Sequence, residues 1–177
     1  YDMFWAAVAS NKPVLFFEDK NLYRRQDIKD NLIRRTLVKP IEEFGIRIVQ
    51  EGSRVTVCSY GRLVYSVIEA AKIVKKEGIS VEILDLRVIC PLDKKTLISS
   101  VKKTGRLVVL HEEPLFGGIG GEIGSTIFES TESFLNLLAP LCRVAPPRTF
   151  VPSHAFWKEY EPQPEEIAEA IRKTAKF

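Results

Sequence analysis

His111-Glu112-Glu113 follows a short apolar run, Leu107-Val-Val-Leu110, and precedes a glycine-dense turn, Gly117-Gly118-Ile119-Gly120-Gly121. Imidazole titrates near neutrality and a neighbouring carboxylate raises its pKa, so His111 with Glu112 or Glu113 has the chemistry of a general acid or base. The other reading, and the expected one, is a polar residue closing a strand end at an interface, because the chain shows no convergent partner set for a proton shuttle. Gly117, Gly118, Gly120 and Gly121 form a candidate anion loop, since they lead into a helix start whose free amides attract anions. Their spacing is not the dinucleotide fingerprint: with Gly118 and Gly120 as the first two glycines, the third position falls on Ile123, and no phosphate-binding lysine follows.

Other reactive side chains are scattered. Asp85, in Leu84-Asp85-Leu86-Arg87, reads as a ligand carboxylate or as half of an ion pair with Arg87 on the same strand face, and the pair is expected. His154 sits among Pro152, Phe156 and Trp157, where an interface or surface role is expected. Cys58, Cys90 and Cys142 stand alone with no CxxC and no histidine at ligand spacing, so neither a metal site nor a disulfide framework is encoded, and an intracellular reducing compartment is expected. Residues 20–40 carry seven Lys or Arg against two Asp, a local +5 set against −2 elsewhere. With Tyr23 as the one aromatic among those cations, the stretch lacks the stacking groups of a nucleic-acid platform and reads as a solvated linker or a docking surface for an acidic partner. The net charge of +3 over 177 residues argues for neither a nucleic-acid nor a membrane partner.

The elements that must position these residues follow from periodicity. Composition, 45% apolar and 28% charged, is that of one globular domain. Tyr1 to Val8 reads as a helix feeding a buried strand at Val14 to Phe17, and the fading pattern from Glu18 to Gly45 marks a boundary. Beyond Gly52, strands at Arg54–Tyr60, Val81–Arg87, Leu107–Leu110 and Pro140–Val144 alternate with helices at Leu63–Val74, Lys94–Lys103, about Glu122–Ser130 and Glu165–Lys176. Asp93 is placed to cap the second helix, and Gly78 and Gly105 to end helices. Such alternation means right-handed crossovers and a mostly parallel sheet covered on both faces. The start at Tyr1-Asp2, with no initiator Met, is read as a piece of a longer chain.

Taken in order, the motifs resemble the β subunit of thiamine-diphosphate-dependent 2-oxo acid dehydrogenase E1 components. They are Lys12-Pro-Val-Leu-Phe-Phe-Glu-Asp-Lys-Asn-Leu-Tyr23, Glu51-Gly52, Tyr60-Gly61, Val81 to Arg87 with Pro91-Leu92-Asp93, Lys103-Thr-Gly-Arg106, His111-Glu-Glu-Pro114 with Gly117-Gly118, and Phe134-Leu-Asn-Leu137 with Ala139-Pro140. His-Glu-x-Pro with Gly-Gly, and Phe-Leu-Asn-Leu-x-Ala-Pro, are most similar to branched-chain (2-oxoisovalerate) members, with pyruvate and acetoin members next; other transketolase-type enzymes share the domain. The resemblance implies residues 1–19 as the end of a pyrimidine-binding domain, 20–45 as a linker and 46–177 as a transketolase C-terminal domain. The implied fold is α/β, a three-layer α/β/α domain with a mostly parallel mixed five-stranded sheet.

For the parent enzyme the resemblance implies thiamine diphosphate and Mg²⁺, with oxidative decarboxylation of a 2-oxo acid and acyl transfer to a lipoyl-bearing E2. No cofactor- or metal-contacting residue is carried over to this chain, which alone is expected to be inactive. Implied partners are an E1 α subunit or α segment, a second β copy, and the subunit-binding domain of E2, for which Leu138, Arg143 and Phe177 are docking candidates. The implied location is the bacterial cytoplasm, or the mitochondrial matrix or plastid. Two positions depart from the family pattern: Leu138 stands where an acidic residue usually precedes Ala-Pro, and Pro146-Pro147-Arg148-Thr149 replaces Gly-x-Asp-Thr. A reading of another class, a small anion- or nucleotide-binding regulatory module, rests on the glycine loop.

Overall fold

A five-stranded sheet organises the chain, in the order β1-β3-β2-β4-β5, with β1 (Arg47–Gln50), β2 (Val55–Ser59), β3 (Val81–Asp85), β4 (Leu107–Leu110) and β5 (Cys142–Val144). The structure is a computed structural model that describes residues 2–24 and 39–177. β3, β2, β4 and β5 run parallel, while β1 pairs antiparallel with β3, with a register irregularity between Ile48 and Gln50. The strand that makes the sheet mixed is thus β1, at one edge, a four-residue strand too short for periodicity to mark.

Every residue of β2 and β4 is buried, as expected of parallel strands covered on both faces. Side-chain alternation divides them into two cores. Val55, Val57, Ile83, Val108 and Leu110 pack against α2 (Leu63–Lys75) and α7 (Pro164–Ala175). Cys58, Leu84, Leu107 and Val109 face α3 (Lys94–Thr104) and α4 (Ile119–Glu129). Burial pushes the Cys58 thiol up to about 12, so it behaves as a small apolar side chain. The three-layer α/β/α arrangement with a mixed, mostly parallel five-stranded sheet is the expected one.

Three local expectations need correction. Val14 to Phe17 is not a buried strand: it runs extended outside the sheet, with Leu15 and Phe17 86% and 87% exposed, because no described strand lies beside it to complete its hydrogen bonds. It follows α1 (Asp2–Ala9), the expected first helix; the short helices α5 (Thr131–Phe134) and α6 (Trp157–Tyr160) come between α4 and α7. α4 starts at Ile119, inside the glycine run, three residues before the expected Glu122. Asp85 pairs with Arg47 across the β1–β3 ladder at 3.2 Å rather than with Arg87. Arg87 lies past the strand end at φ +55, donates to the Gly45 carbonyl and stacks over Phe44. The basic run 25–38 lies outside the described residues.

Asp93 has two duties. Its carboxylate accepts the Thr96 N–H at 3.0 Å as the α3 cap and the Ile46 N–H at 3.1 Å, fastening the approach to β1 onto the start of α3. A Cβ on Gly45 would come within 2.4 Å of that carboxylate, so only glycine lets the two segments meet. Asp93→Ala removes both acceptors and is expected to cost about 1–2 kcal/mol in urea unfolding; an unchanged midpoint would show that the cap is idle.

Candidate functional site at the carboxyl ends of the central strands

β2 passes through α2 to β3 on one side of the sheet, while β4 leads to β5 on the other. Where strand order diverges in this way, an open α/β sheet has its crevice, at the carboxyl ends of the two strands. The residues leaving those ends are Tyr60-Gly61-Arg62 and His111-Glu112-Glu113. Gly61, at φ +59, turns the chain so that Arg62 opens α2 over the crevice.

Arg62 fills that position. Its Nε donates to Asp19 at 2.7 Å, its Nη1 donates to Glu161, and Nη2 lies 3.7 Å from Glu112. The guanidinium also sits 5.7 Å from the Trp157 ring centroid. Burial works against its charge, but Glu161 and Asp19 outweigh burial and hold the guanidinium above its ordinary value. The Glu112 N–H donates to Tyr60 Oη at 3.4 Å. Burial raises the Glu112 carboxyl against the pull of Arg62, with Asp19, Glu161 and Glu113 adding to the rise. Burial, then Glu113, also pushes the Tyr60 phenol up. One arginine therefore ties four separate segments of chain together, and the crevice holds this chain's own side chains.

His111 is fully buried beneath the glycine turn. A Cβ on Gly118 would lie 2.6 Å from its Cε1, and one on Gly120 would lie 2.6 Å from its Nε2. The glycine run makes room for an imidazole inside the fold. Glu113, half exposed, places Oε2 3.2 Å from Nδ1, but the contact lacks hydrogen-bond geometry, so both ring nitrogens stay without partners among the described residues. Burial lowers the imidazole's pKa more than Glu113 raises it, which favours the neutral ring.

The other candidates are dispersed. Arg143, on β5, reaches the glycine turn, donating to the Leu115 carbonyl at 3.1 Å. Leu138 packs on Gly105 at the opposite end of β4, with its N–H donated to the Gly105 carbonyl at 2.7 Å. Phe177 follows α7, whose last turn lies at that same amino end of the strands. Leu138 and Phe177 thus share an end of the sheet that Arg143 does not. His154 opens a short 3-10 turn ahead of α6 (Trp157–Tyr160). Sequence reasoning missed Arg62, Tyr60, Asp19 and Glu161; the signal for the first two was their place directly after a central strand.

Strand order, the antiparallel edge and the side-chain-filled crevice define a three-layer α/β/α domain built around a mixed sheet. Residues 45–167 match the family model for the transketolase C-terminal domain, and the chain belongs to that family. It is homologous to E1 β subunits over most of its length. It is 41% identical over 143 residues to the 2-oxoisovalerate dehydrogenase subunit beta, mitochondrial, of Chaetomium thermophilum, covering 79% of this chain and 29% of that protein. It is 34% identical over 179 residues to the pyruvate dehydrogenase E1 component subunit beta of Bacillus subtilis, covering 97% and 51%. The chain therefore spans about half, or less, of these relatives. Among solved structures it is similar to a split-gene transketolase described as an inactive β4 tetramer, with a TM-score of 0.65 and 25% identity over 74% of this chain and 42% of that one.

Two outcomes test the buried histidine. Gly120→Ala should cost about 1–3 kcal/mol by overpacking against His111, whereas Gly121→Ala, whose Cβ meets only Arg143 Nη1 at 3.9 Å, should gain the usual helix preference for alanine. Equal effects of the two would place His111 elsewhere. Below about pH 6.5 the unfolded chain takes up a proton that the buried imidazole resists, so stability should fall as pH drops through that value. Glu112, whose carboxyl is raised, acts in the opposite sense nearer the carboxylate range. His111→Asn should flatten the slope seen by urea unfolding between about pH 7 and about pH 5.5; an unaltered slope would remove His111 as its source.

Proposed function

We propose that this chain is the C-terminal domain of the β subunit of a branched-chain 2-oxo acid dehydrogenase E1 component, contributing assembly and docking surfaces rather than reacting groups. What supports this reading is the 41% identity over 143 residues to a 2-oxoisovalerate dehydrogenase β subunit, together with the Phe134-Leu-Asn-Leu137 and Ala139-Pro140 motif; pyruvate dehydrogenase β subunits reach 34–36% over 173–179 residues. In the whole enzyme, thiamine diphosphate with Mg²⁺ would supply the decarboxylation chemistry. Among the described residues no group of three or more His, Cys, Asp or Glu is placed to hold a metal ion. No described helix is long and apolar enough to cross a membrane.

Exposed apolar side chains support the assembly role. Phe128 and Phe134, 6.2 Å apart between ring centroids and each about half exposed, stand with Leu135 and Leu138 on one stretch of surface. Phe4, Trp5, Leu15 and Phe17 expose more. Apolar surface of this kind fits contacts with a second β copy and with an E1 α subunit or α segment.

The docking partner in this reading is the subunit-binding domain of a lipoyl-bearing E2, meeting the end of the sheet that carries Leu138 and Phe177. Leu138 is 58% exposed and apolar, so binding there should rest on burial more than on an ion pair, with a shallow salt dependence. Affinity is measured for subunit-binding domains taken from a branched-chain complex and from a pyruvate complex, at low and high salt, with this chain and with Leu138→Asp. The branched-chain domain should bind more tightly, and the substitution should steepen the salt slope. Binding to neither domain, or a Leu138→Asp variant with unchanged affinity and slope, would reject this docking face and leave subunit assembly as the role.

A further inference from the structure

At the amino end of the parallel strands a cleft of about 460 Å³ opens between the start of β2, the loop before β3 and the last turn of α7. Ser53, Arg54, Glu77, Ser80, Arg172 and Lys176 line it. Arg172 is held by two carboxylates, Glu77 through a two-pronged pair at 2.7 and 2.8 Å and Glu169 at 3.2 Å. Arg54 and Lys176 have no carboxylate partner among the described residues. Arg54 donates Nη2 to the Ala175 carbonyl at 2.6 Å, at the end of α7.

A second guanidinium stands beside it. Arg54 and Arg106 immediately precede neighbouring strands, with Thr56 opposite Leu107 in the ladder. Arg106 is only 5% exposed, donates Nη1 to the Thr104 carbonyl at 3.2 Å, and has no acceptor for Nε. Burial works against its charge, and the like charge of Arg54 adds to the strain. The carbonyl end of a helix supplies about half a negative charge. Arg54, Arg106 and Lys176, set against the helix end and the one carboxylate of Glu77 and Glu169 that Arg172 does not offset, leave a surplus of about one to two positive charges around the cleft.

We propose that this cleft binds a phosphate-class oxyanion, as inorganic phosphate or as the phosphate group of a small monoester. Arg54 supplies a forked donor matched to its oxygens, Lys176 supplies a point charge, and Arg106, buried behind Arg54 and outside the lining, adds positive potential. The Ser80 hydroxyl accepts the Ser53 N–H at 3.1 Å, which leaves its own proton free to donate, and the Ser53 hydroxyl lies beside it. An oxyanion complements the local surplus, and the cleft has room for the organic part of a monoester.

The test titrates inorganic phosphate, glycerol phosphate and acetate into the 177-residue chain by calorimetry at low ionic strength in a phosphate-free buffer, with melting curves alongside. Saturable one-to-one binding of phosphate or glycerol phosphate is expected, with a melting temperature that rises with ligand concentration. The ratio of their affinities tells free ion from monoester. Arg54→Gln should weaken binding at least tenfold. Lys72→Gln, which removes a lysine paired with Glu69 on the outer face of α2, should change nothing. Because Arg106 is buried, exposed Arg54 carries the decision. No saturable phosphate binding, acetate binding as tight as phosphate, or an Arg54→Gln variant with unaltered affinity would overturn the proposal.

Discussion

Burial of β2 and β4 on both faces is the constraint from which the rest follows. A strand enclosed by helices above and below holds apolar side chains along its length, so charge is pushed to its two ends. Both clusters of interest obey this rule. At the carboxyl ends the cation Arg62 is fully paired: it faces Asp19, Glu112 and Glu161. At the amino ends Arg54 and Arg106 donate to carbonyls, with no carboxylate partner among the described residues. The first cluster behaves as a fastening, while the second leaves its guanidiniums on carbonyl oxygens.

The interior exception sharpens the point. Glu82, fully buried in β3, is held by Lys103, whose ammonium also reaches Glu51 at 2.7 Å. Next to it, the hydroxyls of Thr56 and Thr104 lie 2.8 Å apart, with the Ser100 carbonyl as a further acceptor. Polar groups enter this fold where a neighbouring element can complete them, as at the seam between α3 and the strands.

The alternation of strands and helices was legible because each central element repeats its period several times: Leu63, Val64, Val67, Ala71 and Val74 all lie inside. Punctuation was legible where backbone chemistry demands a particular residue, as with Asp93 at a cap and Gly105 at φ +67. β1 was not legible, because four residues with a bulge show no period and the strand is defined by its partner. Val14 to Phe17 misled for the converse reason: a strand-forming run makes a strand only when another strand lies beside it. At the site, His111 was found by its type and by the glycines that follow it. Arg62 was overlooked because its meaning lies in residues 43, 50 and 99 positions away, which no local pattern reports.

Those same separations set the order of events as the chain folds. α2 forms from neighbours, but the tie at Arg62 requires Asp19, Glu112 and Glu161 to be delivered by closing three long loops, each with an entropic cost that local contacts do not carry. The fastening is therefore expected to close late, after the sheet has brought the ends of β2 and β4 together. An interaction absent from the folding transition state acts on the rate of unfolding. Arg62 serves the chain as a latch against opening, holding the segment around Asp19 to the sheet after the core has already formed.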